Sequence, residues 1–168
     1  IITAASATAF TGETGATSTA AQTAIAAGGA GLTIAKLRTA KQTFDLASVD
    51  PSIPRHIIVG PEQITNLLST TEVTSSDFNT VKALVQGEID SFLGFKFTVS
   101  NRLAKSGNDR TCIAFAQDGI TLAIGKDVSA RIDERADKSY ATQVYYCQSI
   151  GATRMEEAKV LGIVCQEA

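Results

Sequence analysis

Histidine occurs once in this 168-residue chain, as His56, and cysteine three times, as Cys112, Cys147 and Cys165. The cysteines are far apart, and no Cys-x-x-Cys pair exists. A structural zinc site takes about four nitrogen or sulfur ligands, usually in close pairs. No metal is therefore expected. Isolated cysteines in apolar company read as small core residues, and unpaired thiols suit assembly in a reducing cytoplasm. No run of about 18 apolar residues occurs, so no membrane-spanning helix is expected. No signal-peptide pattern is visible. Charge of neither sign dominates: 15 Lys and Arg stand against 17 Asp and Glu, for a net charge of −2. Without a basic excess, a tight electrostatic grip on nucleic acid is not expected. The chain opens on Ile1 rather than methionine and reads as a fragment or processed product.

Catalytic signatures are equally scarce. The glycine-rich run Ala26 to Gly31 lacks the Gly-Lys-Ser/Thr ending of a phosphate-binding loop, and no hydrophobic strand precedes it. It reads as a plain approach to a helix. His56 sits in an apolar strand beside Arg55 with no partner nucleophile in view, and no Gly-x-Ser-x-Gly elbow is present. The mixed-charge run Arg131-Ile132-Asp133-Glu134-Arg135-Ala136-Asp137-Lys138 reads as a solvated edge or a subunit contact rather than paired catalytic carboxylates. Arg131, Asp133, Glu134 and Arg135 are therefore contact candidates. Arg154, in Gly-Ala-Thr-Arg, joins them: it either pairs with a neighbouring subunit's carboxylate or sits on the surface. No cofactor is expected.

What is present is ordinary for a globular chain: 44% hydrophobic and 19% charged residues, enough to bury a core in one domain or one domain with a small appendage. Residues 1–31 are nearly all Ala, Thr, Gly and Ser and predict a flexible segment. Thr33 is a good N-cap, and Leu32 with Leu37 forms a hydrophobic staple. Leu37, Ala40 and Phe44 then recur at helical spacing while Lys36, Arg38, Lys41 and Gln42 face outward. The helix stops before Asp50-Pro51. Arg55 to Val59 predicts a buried strand, and Pro61 opens a helix striped by Ile64, Leu67 and Leu68. Ser75-Ser76-Asp77 with Phe78, Val81, Leu84 and Val85 predicts another helix. The second half alternates as strands: Phe95 to Val99, Thr111 to Phe115, Ile120 to Ile124, Val128 to Ile132, Tyr140 to Ile150 and Val160 to Cys165. The class is α+β, with helices first and mainly antiparallel strands after.

In that order the elements resemble the C-terminal part of the major capsid protein of tailed bacteriophages. The residues that carry the likeness are Arg55-His56-Ile57-Ile58-Val59-Gly60-Pro61, the stretch from Gly87-Glu88-Ile89 to Gly94-Phe95-Lys96-Phe97-Thr98-Val99-Ser100-Asn101, and Ile150-Gly151-Ala152-Thr153-Arg154 through Cys165. The resemblance implies the Hong Kong 97-like capsid fold. In it, residues 1–50 hold a flexible segment and the spine helix of a peripheral domain. Residues 51–130 with the C-terminal strand 156–168 form an axial domain, and 131–155 return as a long peripheral strand. Leu37 and Phe44 are then expected where the helix meets the peripheral sheet. The family's N-terminal arm and extended loop are expected to be mostly missing. The implied function is a non-enzymatic shell subunit that builds an icosahedral phage or prophage head. Its partners are other copies in pentamers and hexamers, scaffold and portal proteins, and non-specifically the packaged DNA, with no membrane. Assembly would take place in the bacterial cytoplasm, and the product would be the virion capsid. The alternatives are a cellular nanocompartment shell of the same fold and a small α+β enzyme or nucleotide-binding domain.

Overall fold

The computed structural model of the chain describes residues 9–11, 17–19, 25–69 and 91–167. Two short strands, β1 (Ala9–Thr11) and β2 (Thr17–Thr19), pair antiparallel. The helix expected around Phe78 to Val85 lies outside the described residues.

Helix α1 spans Ile34–Leu46. Thr33 caps it as the sequence predicts, its hydroxyl accepting the Lys36 amide proton at 3.4 Å. The staple pair Leu32 and Leu37 is buried, as are Ala40 and Phe44. After α1 come β3 (Arg55–Val59) and α2 (Pro61–Ser69), which starts on its proline. Proline is tolerated there because a first-turn amide needs no intrahelical acceptor. Then follow β4 (Ser91–Phe92), β5 (Phe95–Val99), β6 (Lys105–Ser106), β7 (Asp109–Ala116), β8 (Ile120–Arg135), β9 (Ala141–Arg154) and β10 (Val160–Gln166).

The strands divide into separate sheets. One runs in the order β10-β7-β3-β5-β4, with β6 hairpinned onto β7. Its pairings are antiparallel except for β3 with β5, which are parallel. β8 and β9 form a two-stranded sheet of their own, as do β1 and β2. The two predicted strands 120–124 and 128–132 are thus one long strand. The expected boundary at residue 130 falls inside it.

The helix lands on a different sheet from the one expected. Phe44 meets Phe95 of β5 at a ring-centroid distance of 6.0 Å, so α1 covers the six-stranded sheet and not the long strands. The reason is apolar area. Ile57, Val59, Phe95, Cys112, Ala114, Leu161 and Ile163 all lie within one buried cluster with Leu37 and Phe44, and closing such a surface is the main favourable term in folding. Arg55 pins the helix down. Its guanidinium lies 5.5 Å from the Phe44 ring centre and donates to the Asp45 carboxylate at 2.8 Å and the Val49 carbonyl at 3.1 Å.

Lys36 corrects a second expectation. It is buried, and its ammonium donates to the carbonyls of Ala30, Gly31 and Val164 at 2.7, 2.9 and 3.0 Å. Three carbonyl acceptors replace its water shell, which is what makes burial of an ammonium tolerable. Cys112 and Cys165 are buried core residues as predicted, whereas Cys147 lies half-exposed on β9.

A candidate subunit-contact surface

Among the described residues, the β8–β9 ribbon adjoins the six-stranded sheet at its two ends, at Gln117–Gly119 and at Met155–Lys159, and nearly all of its side chains are exposed. Its register sorts them. Residues directly opposite in an antiparallel pair point to the same face, and each strand alternates. Ile120, Leu122 and Ile124 face Arg154, Ala152 and Ile150; further out, Ala130, Ile132 and Glu134 face Tyr146, Val144 and Thr142. Between them the register slips twice, with Lys126 opposite Ser149 and Ser129 opposite Cys147. Each slip leaves one extra residue on β8, the signature of a β-bulge. Two slips together restore the original phase.

One face of the ribbon therefore carries Leu122, Ile124 and Ile150 toward the base and Ile132, Val144 and Tyr146 further out, with Gln148 and the bulged segment between them. All six are more than half exposed, with Ile132 at 71% and Val144 at 69%. Exposed apolar patches mark interaction surfaces or ligand grooves. The opposite face carries Ser129, Arg131, Asp133, Gln143 and Tyr145, which with Lys126 line a polar depression.

The sequence-predicted contact residues separate on this geometry. Arg131 and Asp133 are exposed on the polar face. Glu134 lies on the apolar face near the tip, opposite Thr142. Arg135 donates to Asp137 at 2.9 Å within its own strand end, and that guanidinium holds the Asp137 carboxyl below its ordinary value. Arg154 is corrected. At 3% exposure it is buried within the chain at the ribbon's base and is not available as a surface contact. Sequence reasoning missed the apolar stripe itself. The alternation was visible, but alternation alone does not say whether the apolar side faces a core.

Neither of the residues considered for chemistry gains a constellation. His56 stacks on Phe115 at 5.5 Å beside a cavity of about 340 Å³ lined by Ile58, Thr98, Phe115, Gln117, Ile120 and Leu122. No carboxylate among the described residues lines it. Burial, aided by Lys96, pushes the imidazole below its ordinary value. The glycine run turns at Gly28 and Gly29, both at positive φ, where glycine avoids the Cβ clash. Its carbonyls are engaged by Lys36, and the adjoining cavity of about 560 Å³ is lined by the Glu167 carboxylate. That charge opposes a phosphate. Glu167 is itself held by Arg110, by Lys105 at 2.5 Å and by Gln63 at 3.1 Å. These donors draw its carboxyl down to about 2. Among the described residues, no cluster of three or more His, Cys, Asp or Glu side chains forms a metal site, and no helix is long and apolar enough to cross a membrane.

The chain matches the family described as phage capsid protein over residues 1–167, and it belongs to that family. Among solved structures it resembles the head of Helicobacter pylori bacteriophage KHP40 (TM-score 0.65, 12% identity, 99% of this chain and 64% of that one). It also resembles the capsid of Ralstonia phage GP4 (0.64, 10%, 86% and 49%) and a structure of Mycobacterium phage Che8 (0.62, 19%, 76% and 46%). The fold is the Hong Kong 97-like capsid fold. The chain spans about half the length of most of the capsid chains it matches. No curated protein matches it.

Proposed function

We propose that this chain is part of a major capsid protein, a subunit that assembles with copies of itself into the icosahedral head of a tailed phage or prophage. Membership of the phage capsid family supports this reading. The observation that carries it is the exposed apolar stripe on the ribbon, a surface whose chemistry is protein contact rather than catalysis. The role is structural, not enzymatic. We propose the division of labour by sheet, in place of boundaries at residues 50 and 130. Residues 25–69, 91–119 and 155–167 form the axial part with α1 included, and the ribbon 120–154 is the peripheral part. Arg131, Asp133 and Glu134 flank the stripe and contribute polar contacts to neighbouring copies. Scaffold and portal proteins, salt-sensitive contact with packaged DNA, and assembly in the host cytoplasm complete the proposal. Electron microscopy of the whole protein, expressed with its neighbouring gene products, tests it. Closed shells with five- and sixfold capsomers are expected. A protein that stays monomeric under those conditions overturns the reading.

A further inference from the structure

Between the ribbon base and the sheet lies the apolar cavity of about 340 Å³. One side of it is flat: the His56 imidazole and the Phe115 ring stack at 5.5 Å with 21° between their planes. Ile58, Ile120 and Leu122 supply the apolar walls. The side chains of His56, Thr98 and Gln117 also line it, and none of the three has a hydrogen-bond partner among the described residues. Apolar walls with a few free polar groups suit an aromatic ring that carries a polar end.

Such a ring stands at the opposite end of the ribbon. Tyr140 is 72% exposed, the most exposed of the aromatic side chains. It follows Ser139 in the hairpin turn, and both residues have positive φ, 53° and 58°. Turns of that hand favour glycine and asparagine. A bulky ring there is unfavourable for the turn itself and points to a use for the ring elsewhere. That use is not within its own chain: at about 3.3 Å per residue, the strand from Leu122 to Arg135 carries the tip roughly 40 Å from the cavity.

We propose that Tyr140 of one copy enters the cavity of a second copy, its ring against His56 and Phe115 and its hydroxyl among His56, Thr98 and Gln117. Charge at the two ends is complementary. Lys96 lies beside His56 in the sheet register and Glu134 lies near the tip opposite Thr142, both exposed and without an ion pair among the described residues. The incoming Glu134 therefore meets Lys96. Tip and base are different patches, so the contact is head-to-tail and propagates into a ring or an open chain. A tyrosine seated in a pocket is a common anchor of protein interfaces. The proposal deepens the reading of the ribbon as a contact surface and rests on it.

Photo-cross-linking tests where the tip lands. Benzoylphenylalanine replaces Tyr140, and isotope-heavy chain is mixed with ordinary chain so that links between copies are identified by mass. Links to Arg55–Val59 or Asp109–Ala116 of the other copy are expected. Tyr140→Gly suits the turn better and should leave the thermal midpoint unchanged or higher, yet weaken association measured by sedimentation by about tenfold or more. Lys96→Glu and Glu134→Lys should each weaken association, and a chain carrying both should recover it. Association that survives Tyr140→Gly, with links only to other ribbons, overturns the insertion and leaves the ribbon a contact surface. No association at chain concentrations up to about 1 mM, the weak end of the affinity scale, overturns both.

Discussion

Phe44 shows how much one side chain contributes. It is fully buried between α1 and β5 and packs with Phe95 and Arg55. Phe44→Ala should cost about 3–5 kcal/mol in a denaturant melt, the range for deleting a buried ring. Glu167 makes a prediction about pH. Its carboxyl titrates near 2 in the folded chain against an ordinary value of 4.5. A depressed carboxylate contributes stability that is complete above the unfolded value and is lost as pH falls through the folded one. The stability difference between the protein and Glu167→Gln should therefore be constant above about pH 5 and shrink progressively between 4.5 and 2. Urea melts of both proteins at pH 6, 4 and 3 check it; a difference independent of pH would refute the role of Arg110 and Lys105. The three thiols give a third test. Cys112 and Cys165 are buried and Cys147 is not. Their hydrogen-bonded pairing and burial also push the Cys112 thiol up. A thiol reagent should add one adduct to the native protein and three to the unfolded one, as read by mass spectrometry.

At the scale of elements, the ribbon and the sheet should respond differently to the same kind of change. Ile132 and Val144 face solvent side by side on the ribbon. Ile132→Lys with Val144→Lys should leave the thermal midpoint of the chain nearly unchanged, since surface substitutions usually stay within about 0.5 kcal/mol. If the stripe is a contact surface, the same pair should abolish association, measured by sedimentation at rising concentration. Ile57→Lys, by contrast, places a charge in the buried cluster and should unfold the chain outright. The strand boundaries were mostly legible in sequence. β3, β5, β7 and β10 fall where short apolar or alternating runs predict them. The merger of two predicted strands into β8 was not legible, because Gly125-Lys126-Asp127 has the look of a turn. Pairing with β9 continues across it through two bulges on β8.

For the whole molecule, the resemblance in element order led to the right fold and family, although the shared identity with solved capsids is only 10–19% in three well-matching structures. Order survives where identity does not, because each element needs only the right period and its stop signals. The contact candidates fared less evenly. Arg131 and Asp133 are exposed on one face of the ribbon, while Arg154 is enclosed at its base. An arginine after Gly-Ala-Thr reads the same in either place.

By itself the sequence determined the local events: the Thr33 cap, the start of α2 at Pro61, the apolar stripe of α1 and the alternating strands. These depend on interactions within a few residues, so a window of sequence contains their cause. Only the tertiary structure decided which sheet α1 covers, that Lys36 and Glu167 are buried with partners far along the chain, and that the ribbon's apolar side faces outward. Those outcomes depend on contacts between distant segments, such as Lys36 with Val164 and Glu167 with Arg110. Burial of a residue follows from what packs against it, and hydrophobic periodicity records only that one face is apolar.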